Sequence, residues 1–223
     1  MSTKLPGCRP LVALVLLLPL ACGPKTTTEF EDAEAFFEFN TTANDMGLQI
    51  FLDAPGWRRV EVISPRKQKV FHLTAEQDFS KLGVTELRFE SAEPTPPEVL
   101  SLLPPGSYAF RGKTVDGDAL ASTATLSHDF LPAPTISPSG GQVVDPSNVV
   151  VTWSAPGAQR VEIIIENLRL GANFDVTVPG STTTRLNVPP QFLARGEEYK
   201  IEILAIGENR NRTLVESTFA TKP

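Results

Sequence analysis

His72 and His128 are the only imidazoles in 223 residues. They stand in different strand-like stretches, and neither has a cysteine or carboxylate at ligand spacing. A zinc site needs several such ligands grouped, and a catalytic triad needs its base beside a nucleophile, so both histidines are read as surface strand residues. Gly140-Gly141 precedes a strand and lacks the helix and lysine of a phosphate cradle, which makes it a turn. Asn44-Asp45-Met46-Gly47 and Asp116-Gly117-Asp118 set oxygens beside a glycine bend, as a calcium loop would, but with too few ligands. Glu29, Glu31, Asp32, Glu34 and Glu38 form an acidic opening stretch. Carboxylates act as an acid and base pair only when held in a cleft with unequal pKa values, and no cleft is visible in the sequence. The stretch is read as a solvated edge strand, and Arg66-Lys67-Gln68-Lys69 as a basic hairpin turn. No catalytic residue, metal site or cofactor is assigned.

Cys22 is the residue with a specific chemistry attached. Lys4 and Arg9 precede the apolar run Leu11 to Leu20, which meets Ala21, Cys22 and Gly23, the order of an export signal. The run has about half of the roughly 20 apolar residues that a membrane-crossing helix needs, so residues 1–21 are read as a signal peptide. Pro19-Leu20-Ala21-Cys22 resembles the lipobox of bacterial lipoproteins, whose cysteine becomes N-terminal and acylated. Pro19 stands where that family has Leu, and Leu20 is bulkier than usual. The resemblance implies lipidation at Cys22 and attachment to a bacterial membrane, the outer membrane being expected, on its periplasmic or surface side. The competing cut by ordinary signal peptidase would use Ala21 and Gly23 and release a soluble chain. One acyl chain at about 0.8 kcal/mol per buried methylene holds only marginally, so durable attachment needs the several chains of that family. Cys8 leaves with the signal, and the mature chain then has no disulfide.

The chain carries 20 Lys and Arg against 26 Asp and Glu, and is 41% hydrophobic. Without Lys4 and Arg9 its net charge is near −8, which disfavours nucleic acid and anionic lipid as partners. Residues 22–29 are small, polar and threonine-rich, and read as a tether. From Phe30 onward the apolar period is two: Leu48, Ile50 and Leu52 alternate with Gly47, Gln49 and Phe51, as Val149, Val151 and Trp153 do with their neighbours. Further strands are expected at Ala35 to Asn40, Arg59 to Ser64, Lys69 to Thr74, Glu86 to Ser91, Tyr108 to Val115 and Ala119 to Ser127. Asp116-Gly117 marks the hairpin between the last two.

An internal repeat organises these strands. Ala54-Pro55-Gly56 with Arg59-Val60-Glu61-Val62-Ile63 matches Ala155-Pro156-Gly157 with Arg160-Val161-Glu162-Ile163-Ile164, a constant offset that also places Leu48, Ile50 and Leu52 on Val149, Val151 and Trp153. Leu103, Gly106 and Tyr108 echo Leu193, Gly196 and Tyr199 at a shorter offset, so about ten extra residues are expected between Lys69 and Pro105. The boundary falls in Phe130-Leu131-Pro132-Ala133-Pro134. Residues 30–130 are expected to form an immunoglobulin-like sandwich, with Leu52 where the second unit has Trp153.

Residues 131–223 resemble a fibronectin type III domain, through Pro132 to Pro138 as opening strand, Trp153, the stretch Leu193-Ala194-Arg195-Gly196-Glu197-Glu198-Tyr199, and the alternating Ile201, Ile203 and Ala205. The resemblance implies structural roles for Trp153 between the sheets and for Tyr199, with Tyr108 in the first unit, as rings whose hydroxyls bond back to the backbone. The expected fold class is all-β: two tandem immunoglobulin-like, fibronectin type III-like β-sandwiches behind a signal peptide. The whole chain also resembles bacterial lipoproteins that carry this domain and have no assigned activity.

Ten of the 13 Phe lie between Phe30 and Phe130. Phe36 faces away from Phe37 and Phe39, so it is expected either to pack the module junction or to form a patch for a partner. Loops carry binding in sandwiches, which directs attention to Arg169 to Phe174 and to the donors of Asn209, Arg210, Asn211 and Arg212. The expected function is non-catalytic, in binding an envelope protein or a surface polysaccharide or in spacing. The alternative is a carbohydrate-active enzyme or an accessory domain of one.

Overall fold

The computed structural model describes residues 27–180 and 182–223, so the expected signal peptide, Cys22 and most of the expected tether lie outside the described residues. Thr27–Thr28, counted in the tether above, instead form β1, which pairs in parallel with Ala119 and Leu120. The first unit continues with β2 (Asp32–Asn40), β3 (Asp45–Ile63), β4 (Lys69–Thr74), β5 (Val84–Glu90), β6 (Gly106–Thr114) and β7 (Ala119–Leu126). Two short helices, α1 (Phe79–Leu82) and α2 (Pro96–Leu102), occupy the stretch where extra length was expected. Proline at the start of α2 and a capping box between Thr95 and Glu98 set where that helix begins.

β3 is one strand of 19 residues where the sequence suggested two. Its first half lies between β2 and β5, and its second half between β4 and β6. The ladder is irregular between Asp53 and Trp57, the site of Ala54-Pro55-Gly56. Proline has no N–H to give to a ladder and is tolerated at such a bulge, where a strand bends from one layer to the other. The backbone stays bonded across the bend, because the Val115 N–H donates to Gly56 O and the Ala75 N–H to Arg58 O.

The second unit has β8 (Thr135–Ser137), β9 (Gln142–Val144), β10 (Val150–Ser154), β11 (Arg160–Asn167), β12 (Ala172–Pro179), β13 (Arg185–Asn187), β14 (Glu198–Ile206) and β15 (Arg212–Thr221). Here Ala155-Pro156-Gly157 is a turn, closed by the Ala158 N–H on Ala155 O with Gly157 at φ +82°. It separates a sheet β13-β10-β8 from a layer β12-β11-β14-β15. The same three residues therefore make a bent strand in one unit and a sheet-to-sheet turn in the other.

Each unit has its own core. The matched residues Leu48, Ile50, Leu52, Val149, Val151 and Trp153 are all buried, as an offset that preserves the two-residue phase requires. The first core also encloses Trp57, fully buried with its Nε1 donating to Thr85 O at 3.3 Å. Leu52 is therefore joined by an indole delivered from beyond the bulge rather than standing in for one. The Tyr108 hydroxyl donates to Pro104 O at 3.0 Å, and the Tyr199 hydroxyl accepts the Ala194 N–H at 2.7 Å. Tyr199 also stacks on Phe219 with ring centres 5.2 Å apart. Both rings are buried, and each pins the approach to its strand by one hydrogen bond.

Candidate functional site at the module junction

The two units share a sheet. β15 pairs in parallel with β2, Arg212 opposite Glu38, Thr213 opposite Phe39 and Leu214 opposite Asn40. The strand order β5-β3-β2-β15-β14-β11-β12 thus runs across both modules without interruption. Thr41 adds its N–H and hydroxyl to Leu214 O, and the Glu216 N–H donates to the Thr42 hydroxyl.

The turn before β15 fastens this joint. Arg210 adopts φ +68°, and the Asn211 N–H donates to Asn209 Oδ1, which sets both amides toward the first module. Asn211 Oδ1 accepts the Phe37 N–H, and its Nδ2 donates to Ser127 O and Asp129 O, each at 2.9 Å. Asn209 Nδ2 donates to Asp129 O as well. Arg210 pairs with Glu34, and Arg212 bridges Glu38 at 3.4 Å and Glu162 at 3.0 Å. The donors of Asn209 to Arg212, read from the sequence as available to a partner, are thus directed within the chain. Phe36 is 6% exposed and lies under the Arg212 guanidinium, 4.9 Å from ring centre to Cζ, which is the junction place among its two expected ones. At the other loop singled out, Arg169 grips Glu197, and Leu168 and Leu170 are exposed.

Between the modules lies a groove of about 250 Å³ lined by Phe36, Glu38, Gln49, Phe51, Glu90 and Arg212. Glu38, Glu90 and Glu93 bring one oxygen each to within 4.8 Å of one another. Gly47, opposite Glu38 in the ladder, leaves the room, since a Cβ there would come within 3.1 Å of Glu93 Cγ. Burial pushes the Glu38 carboxyl up to about 7, against the pull of Arg212, and Glu90, Glu162 and Glu93 push the same way. Glu93 and Glu162 are also raised, first by burial. Burial lowers Lys200 but its bonds to Glu202, which lines the groove, and to Glu216 outweigh this, so it stays charged. Such oxygens suit a hard cation, although calcium takes roughly six to eight of them and three converge here.

The raised Glu38 value gives a pH dependence. Its native pKa lies above the unfolded one, so the native state holds the extra proton between about 4.5 and 7, and stability from this group is full below that window and lost as pH rises through it. The expected loss is on the order of 3 kcal/mol. Glu38→Gln should be near neutral at pH 4.5 and stabilising at pH 8 in urea unfolding, and a parallel profile for both proteins would remove Glu38 as the cause.

The histidines sit apart. His72 is exposed, with Nε2 2.9 Å from the Thr74 hydroxyl. His128, expected on a strand surface, is half-buried beyond β7, donates from Nε2 to Leu103 O and packs its ring 5.9 Å from Phe37. Asn44 at φ +59° and the Asp116-Gly117 bend, with Gly117 at φ +92°, are turns between consecutive strands. The acidic stretch read as a solvated edge strand is in part the internal strand β2, between β3 and β15, and what the sequence missed was the meeting of Glu38 with Glu90 and Glu93.

No family model and no curated protein matches the chain. Among solved structures, the chicken CNTN1 FN1-FN3 domains align over 87% of this chain and 65% of theirs at 12% identity and a TM-score of 0.37. A structure on host cell surface retention of a 1.5-MDa bacterial ice-binding adhesin aligns over 89% and 66%, at 15% identity and TM-score 0.31. A tetra-tandem repeat from the extending region of a large adhesion protein aligns over 84% and 48%, at 15% identity and TM-score 0.28. The chain thus spans two thirds or less of these proteins, and no site or ligand is carried over from them.

Proposed function

We propose that this chain is a non-catalytic, lipid-anchored protein of the bacterial cell envelope, whose two sandwiches act as one stiff unit that binds another envelope protein or a surface polysaccharide, or sets a distance. The observation that supports it is the junction, where the β2–β15 ladder and the Asn211 side chain take the place of a flexible linker. Flexible linkers let modules reorient, whereas a shared ladder with satisfied buried amides transmits orientation. No helix among the described residues is long and apolar enough to cross a membrane. Attachment would rest on Cys22, five residues before the first strand.

Labelling with a radioactive fatty acid should mark the wild-type chain and fail with Cys22→Ser. Equal labelling of both would remove the anchor. Capture from solubilised envelope by the purified chain should enrich a partner, and no enrichment at any salt would leave spacing alone.

The convergence of Glu38, Glu90 and Glu93 favours a second reading, as an enzyme on surface polysaccharide with Glu38 as general acid. Its oxygens are closer than the roughly 5 Å that separates the acid and nucleophile across a sugar bond, and the groove is below the ~300 Å³ of ordinary ligand sites. Polysaccharide cleavage by the wild type that Glu38→Gln abolishes would establish it; no cleavage would end it.

A further inference from the structure

The second half of β3, with β4, β6 and β7, presents one face to solvent on the other layer of the first module. The registers define it as three rows: Thr74, Arg59, Lys113 and Ala119; His72, Glu61, Arg111 and Ala121; Lys69, Ile63, Ala109 and Thr123. The alternate residues Val60, Val62, Tyr108, Phe110 and Leu120 are in the core. This face therefore holds the cations Arg59, Lys69, Arg111 and Lys113 against a single carboxylate, in a chain of net charge −6. Arg59 and Lys69 both reach Glu61, at 3.1 and 2.6 Å. Arg111 and Lys113, both exposed, form no ion pair among the described residues. Their neighbours on β7 are alanines, which leave a shallow depression of about 350 Å³ beside the two cations.

The charge belongs to this face and not to the fold. The corresponding layer of the second module, built from the repeated Arg-Val-Glu stretch, turns Glu162, Glu166, Asp175, Glu202 and Glu216 outward along with Arg160, Lys200 and Arg212, so there the carboxylates outnumber the cations, and Lys200 and Arg212 are both paired with them. Cations placed across neighbouring strands of an otherwise acidic molecule set up a local attractive field for anions.

Size and composition decide which anion. Three strand spacings of about 4.8 Å by four residue steps of about 3.4 Å make a face of roughly 200 Å², far below the ~800 Å² per partner of a stable protein interface. The rows contain no Trp, Tyr or Phe to anchor a folded partner or to stack on nucleic acid bases. A thin linear polyanion needs neither, because Arg111 and Lys113, two residues apart on one strand, offer charges about 7 Å apart along its track. We propose that this face binds an anionic polysaccharide, with Arg111 and Lys113 on its charged groups and Arg59 and Lys69 flanking. This rests on the polysaccharide branch of the function above and assigns it a place and a charge.

The purified full-length chain should be retained at low salt on immobilised polygalacturonate, released by salt, and pass through neutral dextran. The double variant Arg111→Ser, Lys113→Ser should bind the polyuronate at least about tenfold more weakly, while Arg185→Ser in the second module binds as wild type. Both substituted side chains are exposed, so an unchanged urea midpoint is expected and separates lost binding from lost folding. Failure to bind polygalacturonate, equal binding by the double variant, or equal retention on dextran, poly-L-glutamate or phosphatidylglycerol vesicles would each overturn the inference. An envelope partner captured through other residues, together with failure on polygalacturonate, would sink this inference and leave the broader function standing.

Discussion

Asn211→Ala should destabilise the protein by about 3 kcal/mol and, more tellingly, make its two modules unfold separately. Asn211 is 2% exposed, and its amide joins three segments: β2 through Phe37, the exit from β7 through Ser127 and Asp129, and β15, on which its own chain continues. Alanine leaves one N–H and one carbonyl without that partner, while Asp129 O keeps the Asn209 amide. A buried polar group stripped of its partner costs on the order of 1 to 3 kcal/mol, so two such groups set the size of the effect. The chain has two tryptophans, Trp57 in the first core and Trp153 in the second. Their indole NMR signals report the modules individually in one urea titration. The wild type should lose both together, and Asn211→Ala should lose them at different concentrations. Coincident loss at the wild-type midpoint would mean that the β2–β15 ladder suffices without the amide.

Trp57→Ala should cost about 3 to 5 kcal/mol, the range for removing a buried ring of this size. Trp57 is fully buried at the bend of β3, and the Thr85 carbonyl would lose its bond as well. Trp153 Nε1, by contrast, is buried with no hydrogen-bond partner. Phenylalanine at each position tests the difference, since it keeps an aromatic ring and removes the donor. Trp57→Phe should cost about 1 kcal/mol more than Trp153→Phe in denaturant unfolding. Equal costs would show that packing alone sets both.

The raised Glu38 carboxyl and the Asn211 amide act on the same joint at different points, one through a side chain of β2 and one through its backbone. Glu38 lies on the groove side with Arg212, while Asn211 reaches the backbone beside Phe37.

Strand positions and the facing of their residues were legible in the sequence, because a period of two states directly which side chains turn inward. Val60, Val62, Tyr108, Phe110, Ile201 and Ile203 all obey it. The repeat carried the same phase into both units, and the Leu-Gly-Tyr stretches placed a buried tyrosine in each. Tertiary structure decided which strands became neighbours. Glu38 and Arg212 are 174 residues apart and meet only because β15 pairs with β2. Ala54-Pro55-Gly56 became a bend rather than a turn because Val115 and Ala75 bond the backbone around it. Arg59, Lys69, Arg111 and Lys113 form one face only in the order β4-β3-β6. For the two sets of charges the physical reason is the same: alternation encodes the side on which a residue lies, since burial selects it, but outward charges meet no such penalty and carry no record of the strand beside them. On Cys22 the sequence alone speaks, through the stretch before it that reads as an export signal and the lipobox-like residues around it. The fold adds that the first strand starts within five residues of it, which leaves little free chain between an anchor and the first module.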